Sequence, residues 1–155
     1  MSIFNWWNNN TNNLLKNLNN NLNFLFPSIY YNNISKSFIE TYYNSLHSNH
    51  RNIVNLYLHN SKLTYNNEEY LGIELIKQKY NFLDLKEPKY VINNFNSQPI
   101  DNNKIIITVI GTIENKLNSS ILSFNISNKN NYHETFILVN INNSWFIQNH
   151  IFNII

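Results

Sequence analysis

The side chains with which this chain could bind a metal or move a proton are five histidines, two aspartates and seven glutamates, and there is no cysteine. His47, His50, His59, His133 and His150 form no His-x-x-x-His pair, and no carboxylate lies at ligand spacing from any of them, so no metal site is expected. Paired-carboxylate chemistry needs an acid held in a pocket, whereas Asp84 and Asp101 fall in turn sequences. Glu40 and Glu134 lie on regular elements, and Glu134 adjoins His133. Neighbouring residues of a strand point to opposite faces, which argues against a Glu134–His133 dyad. No serine stands in a Gly-x-Ser-x-Gly elbow, and with only Gly72 and Gly111 the chain has no phosphate-cradling loop. The expectation is a protein with no catalytic residue, no metal and no cofactor.

Composition supports a folded domain. At 155 residues the chain is the length of one domain. Its hydrophobic residues make up 43% and include 10 Phe, 10 Tyr and 3 Trp, enough to build a core. Asparagine occupies 37 positions, inside apolar segments as well as between them, a bias laid over an otherwise ordinary pattern. The Asn-x-Ser/Thr triplets it creates at Asn9, Asn33, Asn118, Asn125 and Asn142 are read as accidents of that bias. Met1 to Phe26 has Lys16 as its only basic side chain, unlike a signal peptide. No run reaches the roughly 20 apolar residues of a membrane helix. A soluble intracellular protein is expected. The net charge is +2 and the basic residues are scattered, with only Lys77 near Lys79 and Lys86 near Lys89, so no direct nucleic-acid partner is expected.

The elements that would position these residues come in a definite order. Residues 1 to 30 form an Asn-rich extension with Leu14, Leu15, Leu18, Leu22 and Leu25 at nearly helical spacing, closed by Pro27. The domain proper spans 31 to 155. Ser35 is placed to cap a helix whose face carries Phe38, Ile39, Tyr42, Tyr43 and Leu46. Ile53 to Leu58 suggests a second, shorter helix. Leu63 and Tyr65 alternate with polar residues, and Glu69 to Leu71 follows an Asn turn, which predicts a hairpin ended by Gly72. Ile73 to Leu83 has helical spacing. Beyond Pro88, five strands are predicted: Tyr90 to Phe95, Lys104 to Ile113, Ile121 to Ile126, Tyr132 to Ile141 and Ser144 to Ile155. Helices first and an antiparallel sheet last argue for an α+β fold with the helices on one sheet face.

Several short motifs follow one another in this frame: Ser-Phe-Ile-Glu-Thr-Tyr-Tyr at 37 to 43, Leu56-Tyr57, Ser-Lys-Leu-Thr-Tyr at 61 to 65, Gly72, Gln98-Pro99 and Val109-Ile110-Gly111. Further on come Tyr132-His133-Glu134-Thr135-Phe136-Ile137-Leu138, then Asn140 to Trp145, then Asn149-His150-Ile151-Phe152. Together they resemble the nuclear transport factor 2 family across all but the first 30 residues. The resemblance implies a cone of three helices cupped against a bent antiparallel sheet, enclosing a cavity, and function by protein binding without catalysis. In such proteins the cavity takes an aromatic side chain of Ran-GDP, acids at its rim pair with basic residues of Ran, and the sheet forms a homodimer or heterodimer. An aromatic before the first helix contacts Phe-Gly repeat nucleoporins, and the proteins work in cytoplasm and nucleus at the nuclear pore.

Carried over by position, the cavity lining falls on Tyr65, Leu83, Ile151 and Phe152, and the nucleoporin aromatic falls on Tyr31. The rim glutamate is replaced by Asn66, with Glu68 and Glu69 close by, and the acidic pair past Gly111 is absent, leaving Glu114 followed by Asn115 and Lys116. The segment 115 to 131 is longer than the usual family turn. Three functions follow: a Ran-carrying import factor, an mRNA-export cofactor pairing with an export receptor, and, less favoured, a small-ligand carrier or enzyme using Tyr65 or Tyr70.

Overall fold

The computed structural model describes residues 27–48, 50–84, 88–116 and 127–155. Helix α1 (Pro27–Ser48) is followed by a single helical turn, α2 (His50–Ile53), and a 3-10 turn (Val54–Leu56). Strands β1 (Tyr57–Tyr65) and β2 (Glu68–Leu71) form a hairpin, and helix α3 (Ile73–Asp84) comes next. Strands β3 (Lys89–Asp101), β4 (Lys104–Lys116), β5 (Ser127–Ile141) and β6 (Ser144–Ile154) complete the chain.

The six strands make one sheet in the order β2-β1-β6-β5-β4-β3. Every neighbouring pair is antiparallel except β1 and β6, which run parallel. The α+β class stands, but the sheet is mixed where an antiparallel one is expected. A short hairpin that precedes a four-strand meander can be docked against its last strand in either sense. Local alternation does not choose between the two, and here a buried serine marks the junction. Ser61 Oγ donates to the Ile147 carbonyl at 2.6 Å and accepts the Leu58 amide at 2.7 Å, where the β1–β6 register shifts.

The expected set of three N-terminal helices is also corrected. Only α1 and α3 exceed one turn among the described residues, and α3 follows the first hairpin. Tyr57 and Leu58, read as the end of a helix, open β1 instead, because a run that is apolar at nearly every position fits either geometry until its partners are known. Ser35 does not cap. It is fully buried within α1 and its hydroxyl donates to the Tyr31 carbonyl one turn back, at 2.8 Å. The helix starts earlier, at Pro27, whose missing amide costs nothing in a first turn. Ile121 to Ile126, read as a strand, lies outside the described residues.

Asparagine forms two of the hairpin turns. Asn66 and Asn67 between β1 and β2, and Asn142 and Asn143 between β5 and β6, all have positive φ. Two successive left-handed residues give the turn that matches strand twist, and asparagine tolerates that backbone best after glycine. The inner sheet face carries Ile105, Ile107, Val109 and Ile113 from β4, Tyr132, Phe136 and Leu138 from β5, and Ile147 and Phe152 from β6, all buried. Against them pack Phe38, Ile39, Tyr42, Tyr43 and Leu46 of α1 and Ile76, Tyr80 and Leu83 of α3. Gly111 lies where β3 and Tyr132 crowd β4: a Cβ there would meet the Val91 carbonyl oxygen at 2.4 Å and the Tyr132 ring at 2.5 Å.

Candidate functional site

At one end of the helix and sheet layers, α3, the β1–β2 turn and the ends of β4 and β6 leave a cavity of about 270 Å³. Leu83, Phe82, Pro88, Ile113 and Ile154 supply an apolar wall, and Tyr65, Asn66, Glu68 and Lys79 supply its aromatic and polar rim. The helical period of α3 brings Lys79, Phe82 and Leu83 to this opening. Lys79 Nζ lies 4.3 Å from the Tyr65 ring centre and 5.1 Å from that of Tyr70, a cation held against aromatic faces. Glu68 accepts from Lys79 at 3.2 Å and from the Tyr70 hydroxyl at 2.6 Å. Those two donors, Tyr70 first, hold the Glu68 carboxyl below its ordinary range. The rim is therefore an internally neutralised pair of acid and amine.

Of the four lining residues taken from the resemblance, Tyr65 and Leu83 border this opening. Phe152 lies directly behind it, stacked on Tyr65 with ring centres 4.5 Å apart. Ile151 does not join them: it is 44% exposed between buried His150 and Phe152, so it projects from the outer sheet face. Asn66 is at the rim, where its side-chain Oδ1 accepts the Ile154 amide at 2.8 Å and its backbone N–H donates to the Phe152 carbonyl. Its side chain thus pins the β1–β2 turn to β6. Glu69 points away from the cavity and pairs with Lys62 at 3.1 Å. Tyr31 is half-buried on α1, edge-on to Tyr30 and packed on the core.

Behind the cavity lies a polar cluster that residue-by-residue reading did not assemble. Glu134 is buried on the inner face of β5. Its Oε1 accepts from the Tyr42 hydroxyl at 2.8 Å and faces His150 Nε2 at 2.7 Å, while its Oε2 accepts from Tyr43. His150 Nδ1 meets the Tyr57 hydroxyl at 2.7 Å, and Tyr80 bridges Tyr57 and Tyr42 at 2.7 and 2.9 Å. Tyr132 donates to the Tyr43 hydroxyl at 2.8 Å. Burial, reinforced by the Glu134 charge, pushes the Tyr42 and Tyr43 hydroxyls far above their ordinary range. Burial likewise raises Tyr57, Tyr80, Tyr90 and Tyr132, and lifts Tyr65 to about 12.

The dyad on Glu134 thus exists with His150, not with adjacent His133. Strand parity held the signal: Tyr132, Glu134, Phe136 and Leu138 alternate, so Glu134 had to face the core. His150 was harder to place, because a register irregularity between Ile137 and Leu138 breaks the pairing of β5 with β6.

The outer face of the sheet mixes apolar and polar side chains. The β3–β6 registers put Val91, Ile106, Thr108, Ile110, Thr135, Ile137, Val139, Phe146 and Ile151 there, together with Asn94, Asn96, Gln98, His133, Asn149 and Asn153. A third surface feature, a groove of about 420 Å³, runs along α1 between Tyr30, Ile34, Phe38, Leu56 and Trp145.

The structure is a small α+β domain with helices on one sheet face and a cavity at one end. Residues 34–154 match the model of the nuclear transport factor 2 domain, and the chain belongs to that family. It is 27% identical over 128 residues to nuclear transport factor 2 of Candida albicans, covering 82% of this chain and 97% of that protein. It is 31% identical over 80 residues to the Neurospora crassa protein of the same name, covering 52% of this chain and 64% of the other. Nuclear transport factor 2 of Cryptosporidium parvum superposes with a TM-score of 0.70 at 24% identity, over 81% of this chain and 94% of that one.

Proposed function

We propose that the protein is a nucleocytoplasmic transport factor that acts by protein binding and not by catalysis, moving between cytoplasm and nucleus through the pore. The observation that carries this reading is the apolar cavity bordered by Tyr65 and Leu83, open at a rim of mixed polarity. A bowl of this size and lining suits one apolar or aromatic side chain of a partner. Ran-GDP is the proposed occupant, with Glu68 as the rim acid, and Tyr31 is the proposed contact for Phe-Gly repeats. Dimerisation uses the outer sheet face, to which Ile151 contributes. The inward carboxylate of Glu134 has both oxygens engaged by Tyr42, Tyr43 and His150, which suits a structural role better than proton transfer to a substrate.

Titration calorimetry with Ran-GDP at low salt tests the proposal. A complex that is weakened by Glu68→Lys supports it, and absence of heat at any accessible concentration overturns the Ran assignment.

One observation favours a second reading. Asn66 stands at the rim where an acid is expected, and Lys79 already neutralises Glu68. A basic partner would meet an amide and an occupied carboxylate. An mRNA-export cofactor, which uses the sheet to pair with an export receptor, has no need of those acids. Recovery of such a receptor as a stoichiometric heterodimer on co-expression would favour this reading over the first.

A further inference from the structure

Helix α1 buries one face in the core and turns another along the groove of about 420 Å³. Tyr30, Ile34 and Phe38 follow one another at intervals of four, a single stripe along the helix. Leu56 of the 3-10 turn and Trp145 of β6 form the other wall. Phe38 is buried, edge-on to Phe136 with ring centres 5.1 Å apart. Asn33, Ser37 and Thr41 make an exposed margin. The lining is therefore apolar, edged by an amide and two hydroxyls, and carries no charge. From Tyr30 to Thr41 it runs about 16 Å at the helical rise.

The chain enters α1 at one end of this stripe. Pro27, the first residue of the helix, stands less than a turn before Tyr30, so residues 1–26, which lie outside the described residues, are tethered beside the groove. In that segment Leu14, Leu18 and Leu22 recur at the same interval of four, and Lys16 is the one charged side chain. On a helix Lys16 falls on the side opposite Leu14 and Leu18. Leu14 to Leu22 would span about 12 Å, within the length of the groove. Phe26 precedes a proline, which disfavours helical backbone there. Residues 23–26 are thus left as a turn, and helix–helix connections run about 2 to 8 residues.

We infer that residues 14–22 dock as a helix in this groove, antiparallel to α1, with Leu22 toward Tyr30, Leu14 toward Thr41, and Lys16 and Asn20 toward solvent. Three features select this occupant over a second copy or a foreign protein. A tether of a few residues gives an effective concentration in the millimolar range, which a free partner matches only when very abundant. The interval of the leucines is that of the stripe they meet. Neither surface presents a charge that the other must desolvate. The groove is then covered by the chain itself, and a protein that uses it must first displace the segment. This docking does not depend on which partner fills the cavity at Tyr65.

Because the chain has no cysteine, single pairs can be introduced into the full chain. Leu18→Cys is combined either with Ser37→Cys on the groove margin or with Lys36→Cys, which is equally exposed but lies about 100° round the helix. The two sites have nearly the same tether, so an undocked segment would reach both alike. In a glutathione buffer the Ser37 pair should form its intramolecular disulfide about tenfold more favourably than the Lys36 pair. Equal yields would overturn the docking. A Ser37 pair that closes only between chains would overturn it as well and assign the groove to a second copy.

Trp145 supplies an independent readout. With Trp6→Phe and Trp7→Phe it is the one tryptophan left. Its emission should move to the red, and acrylamide should quench it more strongly, when Leu14→Asn, Leu18→Asn and Leu22→Asn are made together. Emission that ignores the triple substitution would show the groove open to solvent or to a foreign partner, and the inference would fall. Should that variant fail to fold, the disulfide pairs decide with Leu14 and Leu22 in place.

Discussion

At the scale of single residues, the chain's acid–base chemistry has been turned inward. Glu134 was legible as a core-facing position from its alternation with Tyr132, Phe136 and Leu138. What made a buried carboxylate tolerable was not legible, since its partners Tyr42, Tyr43 and His150 come from 16 to 92 positions away. Removing one member of a buried charged network leaves the rest unpaired, which costs more than the interaction itself contributes. Glu134→Gln keeps the shape but puts an amide NH2 against hydroxyl donors, and it should destabilise the fold by about 3 kcal/mol, measured by urea unfolding at pH 6. A second prediction concerns alkali. Seven of the ten tyrosines are raised by burial. A raised tyrosine stabilises the fold below the ordinary value of about 10 and that contribution is lost above it. Absorbance at 295 nm should show these seven ionising above pH 10, in one step that coincides with loss of secondary structure by circular dichroism.

At the scale of elements, four of the asparagines serve the hairpins. Asn143 has φ 64° and Asn67 has φ 68°, positions at which a β-branched residue is strained by about 1 to 2 kcal/mol. Asn143→Val should therefore lower the melting temperature, and Asn143→Gly should leave it unchanged or slightly raised, by differential scanning calorimetry. Gly111 makes the opposite demand, for space and not for φ. Gly111→Ala should cost about 1 to 3 kcal/mol by forcing β3 and the Tyr132 ring apart. The β1–β2 and β5–β6 hairpins and α3 were readable because their periodicity and turn residues lie within a few positions of each other. The boundary between helix and strand at Tyr57 was not, since an apolar run suits both.

At the scale of the whole molecule, the outer sheet face is the one on which, among the described residues, no helix packs. Ile110 is 50% exposed and Ile151 is 44% exposed on that face, amid Asn94, Thr108, His133 and Asn153, the mixed apolar and polar make-up of a non-obligate interface. Ile110→Glu should convert the proposed dimer to a monomer in sedimentation velocity while leaving the circular dichroism spectrum unchanged. A wild-type protein that sediments as a monomer at high micromolar concentration would remove the basis for that assembly.

By itself the sequence determined the α+β class, the family and the helical face of α1, all of which follow from local spacing and ordered motifs. Tertiary structure alone decided that β1 lies parallel to β6, that Lys79 closes over Tyr65 and neutralises Glu68, that Ile151 faces outward, and that Glu134 meets His150. Each of these depends on the docking of segments far apart in the chain, and neighbouring residue types do not encode the register between distant strands or the geometry of a seven-membered hydrogen-bond network.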